Sequence, residues 1–382
     1  MDGEERARQF LLRSSNSKIF MSLKDIIKEY ALPYLPAKTL CKFKTVCKDW
    51  KLHISTPFFV HTQSNNFQQI SGFFCQSKSD PPFFVSLPNT TSTSCYGVPD
   101  PSLSFLPEPV ELRASSNGLL CCQGHPNLGG YYYICNPATK QWKKLPKPTA
   151  PHGSDPALAL VFEPHLLNFT ADYKLVCAFP CDRDSNQGYE FHIYSSAQGS
   201  WRVSSEMYLG RKKLLPRSGV HVNGVIYWRT TCCRVFLFDL VKERTHYLDG
   251  NYYGYYDDDY GGAWILGDMN RQLCSAKNSE EGVALSVLSN AYSSSNTIGT
   301  WTVKRYISFR TLCIGREKSP PFFILGNFDI RVIFSDGKWL LFTRGTELCL
   351  WDIKSKECSK LLAAGVDSHT RIVAYVNSLV HV

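Results

Sequence analysis

NPATKQW, from Asn136 to Trp142, is a polar turn set between two strand-like runs, and looser copies of it recur down the chain. They are YSSAQGSW from Tyr194 to Trp201, FDLVKER from Phe238 to Arg244, WDIKSKEC from Trp351 to Cys358, and a weaker one that opens on Val287, Leu288, Ser289 and Asn290 and closes on Trp301. Each reads as a hairpin tip, because Asn, Asp, Gly and Ser accept turn backbone while the flanking aromatic and β-branched residues favour strands. The first residues of the five copies stand 58, 44, 49 and 64 positions apart, a mean of about 54. A period of about 50 is that of a four-stranded propeller blade, which cannot bury its own faces and stacks on its neighbours until a ring closes.

Between the tips lie candidate inner strands: Gly118 to Cys122, Ala157 to Phe162 with Tyr173 to Phe179, Val220 to Trp228, Trp264 to Gly267, and Val332 to Phe342. Asn117-Gly118, Asn223-Gly224 and Asp336-Gly337 predict tight hairpins. Five blades are visible, and a sixth would come from Ile70 to Leu87 or be shared between the two ends of the chain. The expectation is a large all-β, kelch-like propeller of five to seven blades over residues 65–382.

Composition agrees with a folded chain of this kind. The 382 residues include 8 Trp, 20 Tyr and 23 Phe, and 25 Gly with 21 Pro are too few for a collagen-like or disordered chain. The net charge of +9 is spread along the length, with only short clusters such as Arg211, Lys212 and Lys213, and predicts a solvated basic surface rather than a nucleic-acid site. Fifteen cysteines are scattered through apolar strings such as Leu119 to Cys122, which predicts buried, reduced thiols rather than a disulfide framework. MDGEERARQF is followed by no apolar signal core, and no run approaches 18 apolar residues, so the expectation is a soluble intracellular protein of the cytoplasm, the nucleus or both, with no membrane partner. Without secretion the sequons at Asn89 and Asn168 carry no meaning.

Before residue 65 the chain has another character. Residues 1–17 read as a flexible tail and residues 18–64 as a small helical module. Ser22 can cap a helix whose third position is Asp25 and whose stripe is Leu23, Ile26, Ile27 and Tyr30. Pro33 and Pro36 interrupt the chain around Leu32 and Leu35, after which Leu40, Phe43, Val46, Cys47, Trp50 and Ile54 recur at intervals of three and four, predicting a second amphipathic helix. Lys38, Lys42, Lys44, Lys48 and Lys51 fall on its solvated face. So short a piece cannot hide all its apolar surface alone, and needs a partner or the following domain.

The stretch from Met21 to Gln63, above all LPAKTLCKFKTVCKDW from Leu35 to Trp50, resembles the F-box of plant F-box proteins. SSNGLLCC from Ser115, CNPATKQWKKLP from Cys135, YEFHIYSSAQGSWR from Tyr189 and VHVNGVIYW from Val220, following in that order, resemble the F-box-associated domain of the same proteins. The fold class implied is an α+β multidomain chain, a three-helix F-box followed by the propeller. The resemblance implies docking on the Skp-type adaptor of a cullin and RING ubiquitin ligase through Leu23, Ile26, Ile27, Leu32, Leu35, Pro36, Leu40, Phe43, Val46, Cys47 and Trp50. Among these, Phe43 and Trp50 are expected toward the core of the module, and Leu23, Ile26, Leu35 and Pro36 toward the partner. The propeller would then hold an unknown target protein for ubiquitination and degradation.

Catalytic constellations are missing. The chain has no G-x-S-x-G elbow, phosphate-binding G-x-x-x-x-G-K-[ST], H-E-x-x-H or G-x-G-x-x-G. Cys177 with Cys181, and Cys232 with Cys233, lack the second pair of a zinc site. The expectation is a non-catalytic substrate receptor with no cofactor and no metal; the alternative is a kelch-like enzyme or ligand sensor with an incidental helical extension. The most unusual local run is NYYGYYDDDYGG, Asn251 to Gly262, where Tyr252, Tyr253, Tyr255, Tyr256 and Tyr260 surround three acids. Tyrosine offers large contact area at low entropic cost, so this loop is a candidate target-binding element, or else a solvated insertion.

Overall fold

The computed structural model describes residues 22–77, 80–88, 97–153, 155–164, 171–183, 186–210, 212–232, 234–248, 264–279, 281–289, 299–312, 330–367 and 369–382. Four short α-helices come first: α1 (Leu23–Tyr30), α2 (Ala37–Phe43), α3 (Lys48–Ile54) and α4 (Pro57–Asn66), with a 3-10 turn at Leu32–Tyr34. The expected cap is present, since the Ser22 hydroxyl accepts from the Asp25 amide and donates to its carboxylate at 2.7 Å. The expected three-helix arrangement with a continuous second helix is corrected. The backbone turns after Phe43, where the Thr45 hydroxyl bonds the Lys42 carbonyl, and Cys47 adopts extended backbone. Cys47 then starts α3, its sulfur accepting from the Trp50 amide. Two β-branched residues in a row, Thr45 and Val46, disfavour continuing the helix, and Asp49 favours a new N-terminus.

Among the described residues the strands form six sheets, arranged as the blades of a propeller. Five are four-stranded meanders: β3 to β6 (Val110–Ser116, Leu119–Gly124, Tyr132–Asn136, Gln141–Lys144), β7 to β10 (Ala157–Phe162, Tyr173–Arg183, Asn186–Ser195, Ser200–Leu209), β11 to β14 (Val220–Val222, Val225–Arg229, Val235–Asp239, Arg244–Leu248), β15 to β18 (Trp264–Met269, Gln272–Asn278, Gly282–Ser289, Thr300–Ser308) and β19 to β22 (Ile330–Ser335, Trp339–Arg344, Glu347–Asp352, Glu357–Leu362). The sixth takes β1 (Ile70–Gln76) and β2 (Phe83–Ser86) from one end of the chain and β23 (Arg371–Val376) from the other, in the order β2-β1-β23. Both sources foreseen for a sixth blade are therefore used together, and the count is six.

All five repeated tips join the third and fourth strands of their blades. The Asn-Gly pairs join first to second strands with positive φ at both residues, 44° and 96° at Asn117 and Gly118 and 49° and 79° at Asn223 and Gly224. Gly118 is needed twice over, because a Cβ there would also collide with Ser378. Gly118 to Cys122 belongs to a second strand rather than an inner one, and Val220 to Trp228 and Val332 to Phe342 each contain a whole first hairpin.

The strands differ by position as burial requires. Third strands such as β5 and β13 are buried throughout, whereas fourth strands such as β6 (QWKK) are mostly exposed and carry charges that discourage edge pairing. Each pair of adjacent blades encloses its own apolar core. Phe191 stacks on Phe238 at 4.4 Å between the β7–β10 and β11–β14 blades, Val332 and Phe342 pack against Leu285 and Ile307 farther round, and Phe73 and Cys75 meet Leu341 and Leu350 where the ring closes. Cys41, Cys47, Cys75, Cys121, Cys122, Cys135, Cys177, Cys232, Cys274 and Cys349 are free thiols. Seven lie buried in these cores, where burial raises Cys75 and Cys274 to about 12 and keeps them as thiols, whereas Cys41, Cys47 and Cys232 are exposed. Cys41, Cys47 and Cys232 thus depart from the buried thiols expected.

Because strands alternate in direction, the ring has two distinct faces. The first-to-second and third-to-fourth turns lie on one, and the inner strands begin on the other.

Candidate functional site

The helices sit on the turn face. Leu32, Ala37, Leu40, Ile54, Phe59 and Val60 form one buried cluster with Ala138, from the NPATKQW tip, and Leu379, beyond the last strand. Polar bonds fix the same joint. Gln63, fully buried in α4, donates to the Leu35 carbonyl at 3.0 Å and accepts from the Leu379 amide at 2.9 Å. The Ala37 amide, at the start of α2, donates to the Asn377 carbonyl at 2.9 Å. Asn136 then holds the C-terminal segment to the propeller, donating to the carbonyls of Ser378 and Val380 and accepting from the Tyr375 hydroxyl at 2.8 Å.

This joint sorts the eleven residues expected at the adaptor surface. Leu32, Pro36 and Leu40 are buried, which corrects the outward orientation expected for Pro36; it precedes α2, and its carbonyl accepts the Thr39 and Leu40 amides. Ile27, Leu35, Phe43 and Trp50 are half-buried at the margin of the cluster, with the Phe43 and Trp50 rings edge-to-face at 5.3 Å. Ile26 and Cys47 are exposed, as are Leu23 and Val46, at 74% and 62%. Tyr30, Tyr34, Leu52 and Phe58 are exposed too, Leu52 at 71% and Phe58 at 61%. Tyr34, Leu52 and Phe58 escaped the sequence reading because they lie off the three-and-four stripe assumed for a continuous helix. Placing the break at Thr45 and Val46 would have put Leu52 on a separate helix with its own outer face.

The outer surface is also charged and braced. Lys24 and Lys28 of α1 meet Asp49 of α3 at 2.6 and 2.7 Å, and their hydrogen bonds pull the Asp49 carboxyl down to about 2. The Asp49 side chain is exposed, so the pairs orient α1 more than they stabilise it.

Tyr252, Tyr253, Tyr255, Tyr256 and Tyr260 lie outside the described residues. Leu248 and Trp264, either side of that segment, end and begin strands on the face where inner strands start. Among the described residues no three His, Cys, Asp or Glu side chains gather in a way that could hold a metal ion, and no helix is long and apolar enough to cross a membrane.

Comparison with known proteins follows the same division. The family described as "F-box associated beta propeller domain" matches residues 71–255. An F-box protein of Arabidopsis thaliana is 39% identical over 119 residues, 30% of this chain and 30% of its own length. A second is 33% identical over 207 residues, 50% of this chain and 46% of its own, and an F-box/kelch-repeat protein of the same plant is 28% identical over 218 residues, 55% and 49%. The chain spans about half or less of the length of these relatives. With a helical module ahead of a six-bladed ring, the chain is thus similar to plant F-box proteins and, over residues 71–255, to the F-box-associated β-propeller.

Proposed function

We infer that this chain is a substrate-recognition subunit of a Skp, cullin and F-box ubiquitin ligase, with no catalytic step of its own. The exposed apolar surface of the helices supports the reading best. Leu23, Val46, Leu52 and Phe58 stay open to solvent on a module whose other side is already consumed by the propeller. Several exposed apolar side chains on one small module mark an interaction site, and a few such anchors can carry most of an interface's energy. A Skp-type adaptor would cover this side and connect it to the cullin and RING subunits. The propeller would hold the target so that proximity drives ubiquitin transfer, in the cytoplasm or the nucleus. The tyrosines from Tyr252 to Tyr260 are candidate contacts to that target.

Hydrogen exchange of the full chain with and without a Skp-type adaptor tests the reading. Protection should rise over residues 23–58 and not on the inner-strand face of the blades; unchanged exchange in the helices would contradict it. Replacing the five tyrosines with Ser should weaken target capture while leaving adaptor binding intact, and equal capture would remove them from the target site.

A further inference from the structure

On the turn face, across the ring from the helices, a cleft of about 470 Å³ opens between the β11–β14 and β15–β18 blades. Val222, Val225, Leu273 and Leu288 form its apolar walls, each no more than 7% exposed. Its rim is open to solvent, since Val241 is 86% exposed and the Arg271 side chain 72%. Gly224 borders an open part of it, because a Cβ there would meet only a Val241 methyl group, at 4.0 Å. Two buried polar side chains also line the cleft, Tyr227 at 2% exposure and Asp239 at 6%.

We propose that this cleft receives a lysine side chain of the recruited protein, with its ammonium held between Asp239 and Tyr227 and its methylene stem lying along the apolar walls. The inference rests on reading the chain as a substrate receptor, and it names the chemistry of one anchor by which the recruited protein is held.

Three observations carry it. First, turn chemistry accounts for only one oxygen of the Asp239 carboxylate. Its Oδ1 accepts the Val241 and Lys242 amides, both at 2.9 Å, as Asp352 accepts two amides at the corresponding tip. Asp352 is half-buried, whereas Asp239 is enclosed, and its second oxygen takes no hydrogen bond or ion pair from a described residue. A carboxylate so placed favours a cation beside it. Arg271 does not fill that place, because it is paired with Glu163 at 3.2 Å. Second, the Tyr227 hydroxyl makes no hydrogen bond with a described residue, although buried tyrosines ordinarily find a partner. Burial first and Asp239 second raise Tyr227 to about 12, so the carboxylate is close, yet no hydrogen bond joins the two and a donor can stand between them. Third, walls and acceptors together match one side chain. An ammonium has three donors and no acceptor, and lysine lays its stem on apolar surface while its head keeps polar company. Asn223 offers a further acceptor, its Nδ2 being committed to the Arg271 carbonyl at 2.7 Å.

Amide-resolved NMR titration of the full, isotopically labelled chain with capped lysine (N-acetyl-lysine methylamide), capped norleucine and free lysine tests the proposal. Capped lysine should shift the Gly224, Val241 and Lys242 amides saturably, and capped norleucine, which keeps the stem but lacks the ammonium, should bind about tenfold more weakly. Asp239→Asn retains an oxygen to cap the turn while removing the charge, and should weaken capped lysine about tenfold; Tyr227→Phe should weaken it about threefold. If Asp239→Asn fails to fold, Tyr227→Phe still decides, since it deletes a hydroxyl that holds nothing in the free chain. No binding of capped lysine, equal binding of capped norleucine, or binding that neither substitution weakens would leave the cleft to water and overturn the proposal. Free lysine should bind no more tightly than the capped form; a clear preference for it would make the occupant a free amino acid and overturn the proposal as well. Adaptor capture measured on the same samples separates the two readings. If capture fails while capped lysine binds, the receptor reading falls; if capture holds while capped lysine does not bind, only this proposal does.

Discussion

Leu40 and Leu23 lie on neighbouring helices of one module and are expected to respond to substitution in opposite ways. Leu40 is wholly buried against the propeller, so Leu40→Ala should cost about 2–5 kcal/mol in urea unfolding and loosen the module. Leu23, three-quarters exposed, should accept Asp with little change in stability while losing adaptor affinity. Asn136, which opens the NPATKQW turn, does more than turn the chain. Asn136→Ala would leave two carbonyls and the Tyr375 hydroxyl without their partner and should cost about 1–3 kcal/mol, read in the same way. His152 gives a pH signature. Buried between Tyr132 and His192 at 3.1 Å from each, it is lowered from 6.5 to about 3, by burial first and His192 second. As pH falls, the unfolded chain takes up this proton first, so stability is full above pH 6.5 and is lost progressively toward pH 3. Urea midpoints at pH 7.5, 6 and 5 should fall more steeply for the wild type than for His152→Phe, and parallel slopes would contradict this account.

The elements show where local sequence speaks and where it falls silent. Hairpin tips were legible because turn chemistry is local: Asn-Gly pairs and the NPATKQW type of tip name their own backbone. The second helix was misread because its apolar period runs on through Thr45, Val46 and Cys47 while the backbone does not. The eleven proposed docking residues divided by burial for a reason that no local pattern carries, because Ala138 and Leu379, which bury Leu32 and Leu40, lie about a hundred and more than three hundred residues away. The same long-range joint predicts the effect of a truncation. Removing residues 377–382 deletes the Asn377 and Leu379 bonds to α2 and α4 but leaves β23 to close the ring. Hydrogen exchange should then accelerate over residues 32–64 and remain slow in the blades, whereas uniformly faster exchange would mean that the tail holds the ring as well.

At the scale of the whole molecule, the helices occupy the turn face of the ring, held there by a buried apolar joint and the Gln63 hydrogen bonds. This also decides how the adaptor site is best probed. Cutting away the first 65 residues would uncover Ala138 and Leu379 along with removing the helices, so substitutions at exposed positions are cleaner than truncation. The most direct measurement is a calorimetric titration of the full chain with a purified Skp-type adaptor, beside a variant carrying Leu23→Asp and Leu52→Asp whose melting matches the wild type. The account predicts a one-to-one complex with the wild-type chain and at least a thirtyfold loss in the variant, about 2 kcal/mol of lost anchoring. No complex with the wild-type chain, or equal affinity for both, would contradict it.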